Sequence, residues 1–180
     1  MDPLLGYVAA ASLCILLLAS AIEKIRYFSV FEGAVVAYRL VPDWFARFVA
    51  SGFVVVELLA AVLLLWPTFR VMGGWLAVGL LLVATAAMTI NLLRGHTDVS
   101  CGCGSLKEKS AGLSWWLVVR NLLLLVALSA VVWPVNATER VLGWVDGLTF
   151  FGATLAFLGM YYALDHLIES HSKLQKLKEI

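Results

Sequence analysis

Apolar residues in this chain come in long unbroken runs, separated by short stretches where charges, prolines and glycines gather. Five runs are long enough to cross about 30 Å of hydrocarbon as helices, at approximately 4–22, 45–66, 72–93, 114–135 and 145–164. Between the first two, Tyr27 to Trp44 is apolar but interrupted by Glu32, Arg39, Pro42 and Asp43, which predicts a segment lying along the interface. The final stretch, 165–180, sets Leu167, Ile168, Leu174 and Leu177 at near-helical spacing among charges, and so predicts an amphipathic tail continuing the fifth helix. The pattern predicts an all-α integral membrane protein. It is one domain of about five transmembrane helices, with a polar loop at 94–113.

Tryptophan provides a second, independent boundary signal, because an indole ring favours the headgroup zone, where one edge is wet and the other oily. Trp44, Trp66, Trp75, Trp115, Trp116, Trp133 and Trp144 all fall at or near the end of a run. Ala19-Ser20-Ala21 has the small residues of a signal-peptidase site. The start Met1-Asp2-Pro3 lacks a basic region, however, and the run is long, so the first helix is read as retained.

Composition agrees: 62% of the 180 residues are hydrophobic and 14% charged, more apolar matter than one soluble core of this size can hide. The net charge of +1 gives no support to nucleic-acid binding, and the first partner is the lipid bilayer. Basic residues are unevenly placed. Lys24, Arg26, Arg39, Arg47, Arg94, Lys107, Lys109, Lys173, Lys176 and Lys178 fall on one side of the five-span parse, against Arg70 and Arg140 on the other. The positive-inside rule then predicts an outside N-terminus and a cytoplasmic 94–113 loop, in the cytoplasmic (inner) membrane of a bacterium.

That loop carries Cys101-Gly102-Cys103, two of the three cysteines. A disulfide across a single intervening residue requires a sharp bend, which Gly102 and Gly104 permit, and a small strained ring is easily reduced. Cys101 and Cys103 are therefore the candidate catalytic residues, as a reversible dithiol. Nearby cations would favour the reactive thiolate. His96 and Asp98 raise a metal alternative with the two cysteines, but a lone Cys-x-Cys is a weak metal signature and no metal site is assigned. Cys14, in the middle of the first span, reads as a small apolar filler and only secondarily as a resolving thiol.

Glu57 and Arg120 each interrupt a span, and a charge within hydrocarbon usually faces the bundle interior with a partner or a function. At about 1.5 Å per residue they lie roughly 18 and 9 Å from the same membrane face, so an Arg120–Glu57 pair is expected, with Trp116 stacked on the guanidinium. Two readings stay open, a structural ion pair and a site for a quinone or substrate head group that includes Asn91. Thr85, Thr89, Asn91 and Asn121 read as polar groups bonding across helices.

The stretches Asn91-Leu92-Leu93-Arg94-Gly95, Ser100-Cys101-Gly102-Cys103-Gly104, Ser114-Trp115 and Arg120-Asn121-Leu122-Leu123 resemble the MauE branch of the DoxX-like redox-associated membrane proteins. In that family an Arg-Gly turn leads to Asp-Cys-Gly-Cys-Phe-Gly, and the next helix begins near Ser-Trp and carries Arg-Asn. Glu23-Lys24 and Glu57 also match, and the similarity runs from about Ala21 to Leu128. The resemblance implies a DoxX-like four-helix core plus one helix, working in thiol and disulfide traffic with a thioredoxin-like partner during maturation of the methylamine dehydrogenase small subunit. Relatives in the wider family are associated with quinone reduction.

Two departures stand out: Ser100 replaces Asp, and Gly104-Ser105 replaces Phe-Gly. Family partners usually act outside the cytoplasm, whereas the charge count puts this loop inside. The function expected is a membrane thiol–disulfide redox protein with a quinone as onward acceptor. The alternative is a non-catalytic subunit of a larger membrane complex, packed through the small residues Gly152, Ala156 and Gly159 of span five.

Overall fold

The computed structural model describes residues 3–96, 113–133 and 143–178, and these are helical apart from short turns. Helix α1 spans Pro3–Arg26, α2 Phe28–Ala37, α3 Asp43–Leu65, α4 Arg70–Leu93, α5 Trp115–Val132 and α6 Trp144–Lys178. A single 3-10 turn, Pro67–Phe69, joins α3 to α4. Helices α1, α3, α4 and α6 are long and apolar enough to cross a membrane, whereas α5, at 18 residues, covers about 27 Å.

Burial is inverted relative to a water-soluble protein. Leu82, Val83, Leu122, Leu123, Val126 and Leu155 are all at least half exposed, while the buried set includes Lys24, Glu57, Asn91, Arg120 and Asn121. Apolar surface on this scale is stable only when hydrocarbon covers it. All seven tryptophans are exposed, between 54% and 80%, and they cluster at helix ends as expected of two interfacial belts.

Close helix approach explains how the bundle holds together. Lipid tails are as apolar as leucine, so packing rather than water exclusion must drive helix association, and small residues let backbones approach. Ala60 and Ala61 of α3 and Ala77 of α4 are essentially inaccessible. At Gly73 a β-carbon would stand 2.8 Å from the Leu64 backbone nitrogen, and at Gly74 one would stand 3.0 Å from Val132 Cγ2. These two glycines bring α3 and α5 hard against α4. Helix α1 runs antiparallel to α3, with Cys14 Sγ donating to the Ala61 carbonyl at 3.3 Å, and Arg70 stacks on the Tyr7 ring at 4.2 Å.

The helix ends refine the expected boundaries. The first helix runs on to Arg26, which places Lys24 inside it and not on the membrane lip. The segment after it is a helix packed on α3, through Phe31 of α2 against Ala50, Phe53 and Val54. A break at Tyr27 separates α1 from α2, and Arg39, in the left-handed region at φ +50°, turns the chain toward Pro42 at the start of α3. The tail continues the last helix as its spacing predicted: α6 runs unbroken through Asp165 to Lys178, and no glycine or proline follows Gly159.

Candidate functional site

Two capping motifs fix where the 94–113 loop leaves and rejoins the bundle. At the end of α4 the His96 amide donates to the Asn91 carbonyl and the Gly95 amide to the Leu92 carbonyl, with Gly95 at φ +77°. This is a Schellman termination, and its left-handed position suits a residue without a β-carbon. At the start of α5 the Ser114 hydroxyl accepts from the Trp116 amide. Cys101, Cys103 and Asp98 lie between these points, in residues 97–112, outside the described residues.

Within the bundle, side chains from α1, α3, α4, α5 and α6 surround a cavity of about 70 Å³. Its apolar walls come from leucines and alanines such as Leu13, Ala77, Leu80 and Leu128; its polar lining is Ser20, Lys24, Glu57, Arg120, Asn121 and Tyr161. Glu57 stands 14 residues from the start of α3 and eight from its end, about 21 and 12 Å along the axis, so the cavity is deep in the bundle.

Glu57 and Arg120 do line one cavity, but their ion-pair partners differ from the expected Arg120–Glu57 contact. Lys24 Nζ donates to Glu57 Oε1 at 2.9 Å and Oε2 at 2.8 Å, and to Ser20 Oγ at 2.7 Å. Three donors and three bonds satisfy the ammonium, and the rings of Phe53 and Phe31 lie 5.1 and 5.5 Å from it. Arg120 Nη1 pairs with Asp165 Oδ1 on α6, and the ring over its guanidinium is Tyr161, at 5.6 Å. Trp116, expected to stack there, faces outward.

The physical reason lies in side-chain direction. A lysine near the C-terminal end of α1 points back along its own helix toward the α3 carboxylate, while Arg120 faces α6. Lys24 was legible only as an interfacial charge, and its burial removes it from the orientation count. The signal for burial was helical register: Ala10, Cys14, Leu17, Ala21 and Lys24 form one stripe of α1.

Asn121 is the expected cross-helix polar group, its Nδ2 donating to Thr85 Oγ1 of α4 at 3.2 Å. Asn91 stands apart from the cavity. It is fully buried seven residues beyond Ala84, its Nδ2 donates to the Ala87 carbonyl at 3.0 Å, and its Oδ1 has no hydrogen-bond partner among the described residues. Thr89 bonds within α4, to the Thr85 carbonyl. Cys14 is buried, away from this polar lining, as the filler reading expected. Among the described residues no three His, Cys, Asp or Glu side chains converge as metal ligands.

The fold and cavity define a multi-pass helical membrane protein with a buried polar cluster. The family model for methylamine utilisation protein MauE matches residues 2–134, and the chain belongs to that family. It is 36% identical to the methylamine utilization protein MauE of Paracoccus denitrificans over 157 residues, covering 83% of each chain. Against the protein of the same name from Methylorubrum extorquens it is 34% identical, covering 90% of this chain and 87% of that one. Against that of Methylophilus methylotrophus it is 27% identical, covering 98% and 93%. No solved structure matches significantly.

Proposed function

We propose that this protein is a thiol–disulfide redox protein of methylamine utilisation in the bacterial inner membrane, with Cys101 and Cys103 as its reacting pair. In the oxidising direction the two thiols give up two electrons and two protons and join as a disulfide. A thioredoxin-like partner's disulfide takes both electrons and both protons to become a dithiol, through a mixed disulfide formed by thiolate attack. The exchange runs in either direction according to the partner's potential, and it serves maturation of a partner protein.

The observation that carries this reading is that α4 and α5, the helices flanking the cysteine loop, are also walls of the Lys24–Glu57–Arg120 cavity. Electron transfer from the loop to a membrane-soluble acceptor needs such a site close beneath it. A quinone with its polar end toward Arg120 and Glu57 fits as that acceptor, taking two electrons and two protons to become the quinol. Asn91, at the loop end of α4, brings a buried acceptor oxygen to the same end of the bundle.

The test is a Cys103→Ser variant, in which the Cys101 thiolate attacks but cannot be released by its neighbour. A mixed disulfide with a partner protein, dissolved by reductant, is the expected product. A second reading, a non-catalytic subunit of a larger membrane complex, draws on α6, where Gly152, Ala156 and Gly159 are exposed and a β-carbon at either glycine would meet nothing within 4 Å. It prevails if Cys103→Ser traps nothing and leaves methylamine-dependent growth normal.

A further inference from the structure

A second cavity adjoins the polar one. It lies between α2, α3 and α4, has a volume of about 200 Å³, and is walled by apolar side chains including Val35, Val49, Val83 and Met88. The two cavities share Phe53 and Ala84 as walls. Phe31 and Phe53, the two rings beside the Lys24 ammonium, both belong to the apolar chamber's lining, so the charge lies about one ring away from it.

We infer that the two cavities form one site for a membrane amphiphile, with an oxygen-acceptor head group in the polar chamber and an apolar chain in the α2–α3–α4 chamber. The ionic side chains at the polar chamber stand as two pairs, Lys24 with Glu57 and Arg120 with Asp165 of α6, so their formal charges balance and the chamber offers a polar head fixed N–H dipoles. Lys24 spends its three donors on Ser20 and Glu57 and contributes field. Direct bonds to the head come from the α5 pair, Arg120 and Asn121, whose guanidinium and carboxamide carry five and two N–H groups. The apolar chamber has no charged wall and rejects anything but a hydrocarbon chain. Phe53, between the chambers, opens a path for the chain by a change of rotamer.

This inference rests on the proposed acceptor site and sharpens it, since a prenylated quinone and a fatty acid share the required chemistry. The test uses full-length protein with Cys101 and Cys103 both replaced by serine, so that its outcome is independent of thiol exchange. Equilibrium binding is measured in detergent with decyl-benzoquinone and with dodecanoate as probes. Saturable binding of either is expected, weakened at least about tenfold by Ala87→Phe, which fills the apolar chamber, and by Arg120→Gln in the head chamber. Val35→Trp on α2 provides a second way to fill the apolar chamber should Ala87→Phe fail to fold. Binding of the quinone alone identifies a redox-active ligand, and binding of dodecanoate alone a lipid anion. If neither probe saturates the folded protein, or if binding is indifferent to the chamber-filling variant that folds, the inference is overturned while the cysteine chemistry stands untouched.

Discussion

Lys24 and Glu57 close a two-pronged ion pair between α1 and α3, at 2.8 and 2.9 Å, with both side chains almost wholly withdrawn from the surface. Removing two charges from water is expensive, and such a pair is tolerated only when each charge has its partner. Breaking it is therefore costlier than removing it.

Glu57→Gln or Lys24→Met alone should destabilise the protein by about 3–5 kcal/mol, because each strands a buried charge. The double variant Lys24→Met/Glu57→Leu should recover most of that loss. Thermal unfolding of the purified protein in detergent checks both. Additive losses in the double variant would show that the two side chains act separately.

The α3–α4 seam gives a contrast between two glycines of one helix. Gly73→Ala puts a β-carbon against α3 backbone and should cost about 1–3 kcal/mol. Gly79→Ala, where a β-carbon meets nothing within 4 Å, should be neutral or slightly stabilising. Folded yield and melting temperature separate the two, and equal behaviour would mean that the close approach is not what holds the seam.

Much of this was legible in the sequence because lipid exposure leaves a coarse signal. The apolar runs locate the helices, and the seven tryptophans mark their ends. Asn121 also bonds across to α4 as polar groups in hydrocarbon should. The pairing was not legible, since Lys24, two residues before the end of α1, has the same one-dimensional signature as a charge marking the membrane lip. Only the stripe it shares with Cys14 and Ala21 distinguishes the two. Asp165 was hidden for a related reason: it opens the charged segment read as an amphipathic tail, where a carboxylate looks like a surface group, yet α6 sets it against Arg120.

Gly95 sits at φ +77° in the turn that releases the cysteine loop, so Gly95→Ala should cost about 1 kcal/mol and alter how the loop is presented. Gly95→Asn, which tolerates that backbone region, should be milder. Thiol-exchange rates measured with a small disulfide should fall in the same order, with the alanine variant slowest. An alanine variant exchanging at the native rate would uncouple the turn from the chemistry.

The count of basic residues still favours one side after Lys24 is withdrawn from it, so the Cys101 loop is expected on the cytoplasmic face. An impermeant thiol reagent should then leave Cys101 unlabelled in intact cells and label it once the inner membrane is opened. Labelling in cells with only the outer membrane permeabilised would reverse the orientation.

The most direct measurement is the redox state of Cys101 and Cys103 in native membranes, read by the mass added by a thiol reagent in a Cys14→Ser background. Serine at position 14 still offers a donor toward the Ala61 carbonyl, which accepts from Cys14 Sγ in the native protein, and leaves only the reacting pair to count. Both cysteines should resist labelling in an oxidised fraction and accept two reagent masses after mild reduction, with the fraction returning to the oxidised form when reductant is removed. Two reactive thiols under every condition would contradict the assignment.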